Sequence, residues 1–240
     1  MTRISADKKP AKKTRQSVNK SAATKATSPE RVAAILMELR KAYPDVVCAL
    51  NHKNAWELTV ATILSAQCTD VRVNLVTPKL FKTFPTPKAM AAASLPELEE
   101  LIRTTGFFRN KAKSIQGAAR VVTEKFSGKV PQTMEEILTL PGVARKTANV
   151  VLGSWYGIAV GVVVDTHVMR LSRRLELTKE TTPEKVEQDL MKIIPQDRWI
   201  AFSHELIHHG RKICVARNPK CVDCTLEKLC NSSDKTWSSH

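Results

Sequence analysis

Four cysteines lie close together near the C-terminus, with the spacing Cys214-x6-Cys221-x2-Cys224-x5-Cys230. Thiols in an intracellular protein stay reduced, so this close spacing indicates a metal site rather than disulfide bonds. Four thiolates suit either zinc or a [4Fe–4S] cluster. Structural zinc sites usually pair two short knuckles across a longer gap, whereas this segment has one knuckle. One loop around a single [4Fe–4S] cluster therefore fits better, and a structural role for it is favoured over redox catalysis.

A second candidate is the segment LPGVARKTA, residues 140–148, which lies between two predicted helices. Pro141 and Gly142 predict a tight connection that starts the second helix at once. The free N–H groups at a helix start, together with the helix dipole, attract anions. The segment therefore favours a phosphate contact that is independent of base sequence, although an ordinary helix–turn–helix connection would look similar.

The charge of the chain points to a polyanionic partner. Its 240 residues carry a formal net charge of +15. Nucleic acid would explain this charge, because lysine and arginine release condensed counterions when they neutralise phosphates. Ribosomal and membrane-surface proteins are basic too. The sequence has no apolar run long enough to cross a bilayer and no apolar signal core, which predicts a soluble intracellular protein.

The N-terminal segment differs in composition from the rest of the chain. Its first thirty residues contain eight Lys/Arg, two acids and almost no large apolar side chains. A disordered basic tail is therefore predicted over residues 1–27. Three interpretations are open: a solubilising tail, a weak tether to DNA, or a targeting segment.

The elements that must position these groups are predicted to be helices from residue 28 onward, because apolar residues recur at helical spacing. Ser28 before Pro29 and the capping box from Ser94 predict two helix starts. Two more starts are predicted at Thr133 and in the segment TTPE, residues 181–184. The run of residues 158–164 has strand-like β-branched content but is isolated, so the predicted fold class is all-α. The glycine- and valine-rich stretch 157–164 is a candidate junction between two helical lobes.

Several motifs occur together and in order along the chain. They are LSAQCTD at 64–70, LPGVARKTANVVL from Leu140, VDTH at 164–167 and HGRKICVARNPKC leading into the cysteine loop. In this combination the chain resembles the helix-hairpin-helix DNA glycosylases that carry a cluster, specifically the endonuclease III family. The resemblance covers residues 29–230.

The resemblance implies a two-lobed, all-α glycosylase fold with a DNA groove between the lobes. One lobe would be a six-helix barrel domain containing the hairpin, residues 48–159. The other would be a discontinuous four-helix and [4Fe–4S] cluster domain, residues 28–47 and 160–240. The expected partner is double-stranded DNA with oxidised pyrimidine or abasic lesions, and the expected oligomeric state is a monomer.

The resemblance also implies a bifunctional DNA glycosylase and abasic-site lyase in base excision repair. The damaged nucleotide is flipped out of the duplex. Lys146, as a neutral amine, attacks C1′ of its sugar, and Asp165 stabilises the oxocarbenium-like state. The resulting Schiff base permits β-elimination. Desolvation, the neighbouring Arg145 and the helix start are expected to favour the neutral amine. Taken alone, Lys146 suits a phosphate contact and Asp165 a helix cap.

Further positions take roles from the resemblance. Gln67 fills the hole left by the flipped base, Phe107 acts as an apolar wedge, Asp70 lies at the pocket and His167 has an orienting or structural role. Phosphate or other DNA contacts are expected from Gly142, Ala144, Arg145, Thr147, Arg217 and Lys220. The chain departs from the family at Ala144, where glycine is usual, so a strained positive φ and a looser phosphate contact are expected there.

Two rival functions have distinguishing features. An adenine-mismatch glycosylase of the same superfamily lacks the nucleophilic lysine and carries a further C-terminal domain. A non-enzymatic DNA-binding or redox-sensing module would form no covalent adduct with DNA, and a zinc protein would be colourless. A compact glycosylase with a short tail fits the bacterial cytoplasm, whereas a eukaryotic source would place it in the nucleus or mitochondrion.

Overall fold

The computed structural model describes residues 26–236, so most of the predicted N-terminal tail lies outside the described residues. Within residues 26–236 the chain forms eleven α-helices and no strand, which confirms the all-α fold class. The helices are α1 (Pro29–Ala42), α2 (Ala55–Leu64), α3 (Asp70–Thr83), α4 (Pro87–Ala92), α5 (Leu95–Ile102), α6 (Phe108–Lys125), α7 (Met134–Ile137), α8 (Arg145–Ser154), α9 (Thr166–Arg174), α10 (Pro183–Ile193) and α11 (Trp199–Lys212). Short 3-10 turns occupy Arg103–Thr105, Gln196–Arg198, Cys221–Asp223 and Glu227–Leu229.

The four predicted helix starts are confirmed, three of them with a side-chain cap. The side chain of Ser28 caps α1, Ser94 forms the capping box of α5 with Glu97, and Thr133 caps α7. Each cap satisfies a backbone N–H group that has no partner inside its helix. The segment 181–184 also starts a helix: α10 begins at Pro183 after Thr182, whose side chain makes no capping hydrogen bond.

The helices bury two separate hydrophobic cores. Helices α2 to α8 supply most of the first core, in which Leu58, Leu98 and Ile115 are fully buried. Helix α1, from the start of the described chain, joins α9, α10 and α11 around the second core. The chain therefore enters the second core, leaves it for the first, and returns after α8.

The link from α8 to α9 runs along the boundary between the cores. It is not a strand, but its side chains alternate as in any extended segment. Val163 belongs to the first core, whereas Val162 and Val164 belong to the second. The backbone N–H of Val163 donates to Ser203 Oγ of α11 at 3.0 Å. This segment brings the following residue, Asp165, to the junction of the two cores.

None of the helices within residues 26–236 combines the length and the apolar character that a membrane span requires.

Candidate active site

The connection between α7 and α8 positions Lys146. Leu140 and Val143 are buried in the first core and anchor the connection. Gly142 has φ +80°, and a Cβ atom on it would lie 2.7 Å from Ser114 Cβ of α6. A side chain is therefore excluded at Gly142 by both its backbone conformation and its closeness to α6. The connection ends at Ala144, the N-cap of α8, and Lys146 lies in the first turn of that helix.

The strain expected at Ala144 is absent. Its backbone has φ −98° and ψ 172°, an extended conformation that any residue adopts. The expectation of a positive φ at this position is wrong, because the positive φ of the hairpin falls on Gly142. Ala144 offers no side-chain cap to α8, which leaves N–H groups at the start of the helix without a side-chain acceptor.

Two of the expected influences on Lys146 are weaker than the sequence suggested. Lys146 is exposed to solvent, so the protein alone does not desolvate its amine. Arg145 forms an ion pair with the buried carboxylate of Glu187 in α10, with 2.7 Å between Arg145 Nε and Glu187 Oε2. The hydrogen bond to Glu187 raises the pKa of Arg145. The charge of Arg145 is thus partly balanced by Glu187 instead of acting on Lys146 alone.

Asp165 is the N-cap of α9. Its Oδ1 accepts hydrogen bonds from the backbone N–H groups of His167 and Val168, both at 2.8 Å. The described residues provide no hydrogen bond to its other carboxylate oxygen, Oδ2. The cap interpretation and the catalytic one are therefore compatible, because capping through one oxygen orients the carboxylate and leaves the second oxygen available.

Lys146 and Asp165 line the same pocket, at the junction of the two cores. They form no ion pair within 4.0 Å, so neither side chain is occupied by the other. The pocket wall also contains residues that the sequence did not identify, among them Cys48, Thr62, Ser65, His204 and Arg211. Apolar side chains of the first core complete the wall, including Val150 and Val163.

An ion pair connects the two sides of this pocket. Asp70, at the start of α3, accepts a hydrogen bond from Arg211 of α11, with 2.7 Å between Asp70 Oδ2 and Arg211 Nη2. Both residues line the pocket. Arg211 was missed, although it stands in the HGRKIC motif.

His167 is held behind the pocket, not in it. Arg170 lies between its Nδ1 (3.2 Å) and the carbonyl oxygen of Gly210 (2.9 Å). Burial lowers the pKa of His167, against the opposing influence of Asp165. A neutral, half-buried ring that packs against α11 agrees with an orienting or structural role.

The side chains of the four C-terminal cysteines line one cavity. Arg174 Nη1 donates to Cys214 Sγ at 3.3 Å, and the backbone N–H of Thr236 donates to Cys221 Sγ at 3.4 Å. Burial raises the pKa of Cys224 to about 11. Within residues 26–236, no three His, Cys, Asp or Glu side chains converge as they would around one metal ion.

The remaining predicted DNA contacts fall into two groups. Gln67, Phe107, Arg217 and Lys220 are exposed, and Phe107 is 65% exposed despite its apolar side chain. Thr147 is buried in the first turn of α8. Arg217 and Lys220 lie on the loop between the first two cysteines of the cavity.

Comparison with known proteins places the chain in a family. Residues 60–196 match the model of the HhH-GPD superfamily base excision DNA repair proteins, which is more than half of the chain. The chain belongs to the HhH-GPD superfamily. Within it, the chain is 58% identical over 208 residues to endonuclease III of Synechocystis sp., covering 87% of this chain and 95% of the relative. It is 39% identical to endonuclease III of Escherichia coli over 201 residues, covering 84% and 95%.

Solved structures of HhH-GPD proteins share the fold. A trapped covalent intermediate of endonuclease III with DNA superposes with a TM-score of 0.81 at 43% identity, covering 85% of this chain and 96% of that one. A thermostable thymine-DNA glycosylase has a TM-score of 0.75 at 21% identity, which shows the fold alone. The chain is therefore a base excision DNA repair protein with the all-helical architecture of this superfamily.

Proposed function

We propose that the chain is a bifunctional DNA glycosylase that removes oxidised pyrimidines from double-stranded DNA and cleaves the abasic site through a Schiff base on Lys146. One observation carries the proposal: Lys146 lies on α8, which packs in the first core, Asp165 caps α9, which packs in the second, and the two residues line a common pocket. A pocket that presents a primary amine and a carboxylate suits a sugar at which positive charge develops.

Asp165 acts on the sugar of the extruded nucleotide. As the glycosidic bond lengthens, C1′ and the ring oxygen acquire oxocarbenium character, which a nearby carboxylate stabilises. Two backbone N–H groups hold Asp165 Oδ1, so the carboxylate needs little reorganisation when the charge develops. Oδ2 is the oxygen left to face the sugar.

Lys146 supplies the covalent step. Its neutral Nζ forms a bond to C1′ while the bond from C1′ to the base breaks, and the base leaves with a proton. The nitrogen, now positively charged, passes one proton to the ring oxygen O4′ as the bond from C1′ to O4′ breaks, which leaves a protonated Schiff base. Removal of a C2′ proton expels the 3′ phosphate, which cleaves the strand. Since Lys146 is exposed in the free protein, we infer that bound DNA excludes water from it.

The cysteine cavity fits a [4Fe–4S] cluster held by Cys214, Cys221, Cys224 and Cys230. A zinc ion needs four sulfurs about 2.3 Å from one centre, whereas the thiolates of a cluster bind separate irons. The four cysteines line one cavity and would supply the four thiolates that a cluster takes. The bound cluster would cross-link the C-terminal loop and so present Arg217 and Lys220 to phosphates.

The two cores would correspond to two lobes with DNA between them. We assign residues 48–159 to the barrel lobe, and residues 28–47 and 160–240 to the cluster lobe. The hairpin from Gly142 to Thr147 would contact phosphates, with Gln67 and Phe107 entering the duplex. The curated relatives compared above are bacterial, which supports a cytoplasmic, nucleoid-associated location.

Borohydride trapping tests the proposal. The purified protein is incubated with duplexes that contain thymine glycol or an abasic site, and sodium borohydride is added. A covalent protein–DNA adduct is expected from both substrates, because reduction fixes the Schiff base. Lys146→Ala abolishes the adduct, whereas Lys113→Ala, at an exposed lysine of α6, forms it normally. If Lys146→Ala formed the adduct in the same yield as the wild type, the role of this amine would be refuted.

Asp165→Asn is the second variant. It keeps an oxygen that can accept the capping hydrogen bonds but loses the carboxylate charge, so α9 stays capped while base removal slows by roughly a hundredfold or more. Adduct formation at a preformed abasic site falls less, because no base has to leave. Equal losses on both substrates would contradict the role given to Asp165.

A further inference from the structure

Gln67 and Phe107 share an unusual backbone conformation. Gln67 has φ 52° and Phe107 has φ 48°, and both side chains are exposed. Residues other than glycine rarely adopt positive φ, and such conformations persist where surrounding contacts hold them. Gln67 lies three residues beyond the end of α2, and Phe107 directly precedes α6. Each of two separate loops thus contains one residue that is held in the left-handed backbone conformation.

A buried lysine joins the ends of these two loops. Lys111 of α6 is 5% exposed. Its Nζ donates to the carbonyl oxygen of Leu64 at 2.8 Å and to that of Thr105 at 2.7 Å. Leu64 is the last residue of α2, and Thr105 ends the 3-10 turn that precedes Gly106 and Phe107. Carbonyl groups at such ends have no partner within their own helix, and Lys111 supplies one.

The surroundings of Lys111 favour this role over a chemical one. Burial lowers the pKa of Lys111, which in other settings marks a nucleophilic amine. However, Lys111 does not line the pocket that contains Lys146 and Asp165, and its amine is engaged by two carbonyl oxygens. An apolar side chain would fill the same space, so burial of an amine here needs another reason. Charge-assisted bonds to two otherwise unpaired carbonyls give that reason.

We propose that Lys111 is a positioning residue that holds the Gln67 and Phe107 loops at a fixed separation, so that both side chains enter the duplex together when the damaged nucleotide is extruded. The inference rests on the proposed glycosylase and lyase function. It predicts that Lys111 increases the rate of adduct formation on duplex DNA, where an extruded nucleotide leaves a hole. It predicts no such contribution on single-stranded DNA, where there is no stack to fill.

Lys111→Met tests this inference, since methionine keeps the length and apolar stem but donates no hydrogen bond. The rate of borohydride-trapped adduct formation is measured with one abasic site placed either in a duplex or in a single strand. A fall of roughly tenfold is expected on the duplex, because misplacing a positioning group costs rates of this order. The single-strand rate stays at the wild-type value. Lys113→Met, on the exposed side of the same helix, leaves both rates unchanged.

A second substitution distinguishes positioning from general support of the fold. If Lys111 acts through Gln67, Gln67→Ala slows the wild type on the duplex but adds little in the Lys111→Met background. Lys111→Gln keeps an amide group that can donate hydrogen bonds, so its duplex rate is expected to lie between those of the wild type and Lys111→Met. Three outcomes would overturn the inference, because each would make Lys111 an ordinary core residue. They are an equal loss of rate on the duplex and on the single strand, fully additive effects of Lys111→Met and Gln67→Ala on the duplex rate, and unfolding of both Lys111 variants. Absence of any wild-type adduct would instead refute the proposed function.

Discussion

Glu187 of α10 pairs with Arg145, the residue directly before Lys146, through a contact of 2.7 Å. The other carboxylate oxygen of Glu187 accepts a hydrogen bond from Asn149 Nδ2 at 2.8 Å. Arg145 and Asn149 belong to α8 of the first core, whereas Glu187 belongs to the second. One buried carboxylate therefore fixes the helix that carries the nucleophile against the opposite core.

Replacing Glu187 by alanine should weaken both the fold and the reaction. The substitution leaves the buried amide of Asn149 and the half-exposed Arg145 without their partner, which costs about 1–3 kcal/mol of unfolding free energy. Adduct formation at an abasic site should slow roughly tenfold, because the first turn of α8 loses its anchor. Urea unfolding and trapping rates measure the two effects.

A matched control for Glu187→Ala is Glu124→Ala, at an exposed glutamate of α6. It removes the same charge and should change the unfolding free energy by no more than about 0.5 kcal/mol. Comparable losses in the two variants would mean that net charge, and not the anchoring of α8, explains the result.

The hairpin allows a prediction that separates two neighbouring positions. Gly142→Ala forces a side chain into a left-handed backbone and against Ser114, at 2.7 Å, so the unfolding free energy should fall by about 1–3 kcal/mol. Ala144→Gly relieves no strain, because Ala144 already has an extended backbone, and it should alter stability by only a few tenths of a kcal/mol, roughly the difference between these residues at an N-cap.

Thermal or urea unfolding of both hairpin variants checks this prediction. A marked stabilisation by Ala144→Gly would show that the alanine is strained after all. DNA affinity measured on Ala144→Gly then isolates the effect of the methyl group on a bound phosphate, since the backbone conformation is the same.

What could be predicted from the sequence reflects how far each interaction reaches along the chain. The caps at Ser28, Ser94 and Thr133 depend on residues within one helical turn, so local patterns identified them. The start of α10 also lies within the predicted segment 181–184, although no side chain caps it. Local chemistry also identified Asp165 as a cap, but not the pocket it lines.

The residues that sequence reasoning missed act through distant partners. Lys111 contacts Leu64 across 47 positions, Glu187 contacts Arg145 across 42, and Arg211 contacts Asp70 across 141. A single sequence shows each of them only as a charged residue on a helix, where solvent exposure is the ordinary expectation. The burial of Lys111 and Glu187, and the partners of all three residues, follow from tertiary packing, which periodicity does not specify.

Gly210 supports the cap of α9 from the opposite helix, which yields a further prediction. A Cβ atom on Gly210 would lie 2.9 Å from His167 Cβ. Because the N–H of His167 donates to Asp165 Oδ1, Gly210→Ala should displace the cap as well as overpack the interface. Expected results are a loss of about 1–3 kcal/mol in unfolding free energy and a slower removal of thymine glycol.

Gly153→Ala provides the comparison for Gly210→Ala, since both glycines lie in helices. The added methyl group of Gly153→Ala meets Ile200 Cγ1 at 3.2 Å, a milder overlap than the one at Gly210, which a small shift of Ile200 relieves. Alanine also favours a helix over glycine by about 1 kcal/mol. If Gly153→Ala destabilised the protein as much as Gly210→Ala, the specific contact with His167 would not be the cause.

The cysteine cavity leads to a prediction about metal content. Cys221→Ser should remove the brown colour and the bound iron and sulfide of the purified protein, because a serine hydroxyl replaces one thiolate ligand. Cys48→Ser, at a half-buried cysteine that lines the pocket of Lys146, should retain both. Without the cluster, the C-terminal loop would lose the bonds that tie it to the end of α11. Proteolysis between Cys214 and Cys230 should therefore be faster in Cys221→Ser than in Cys48→Ser.

Iron, sulfide and zinc analysis of the wild type decides the identity of the metal, and stoichiometric zinc without iron would refute the [4Fe–4S] assignment.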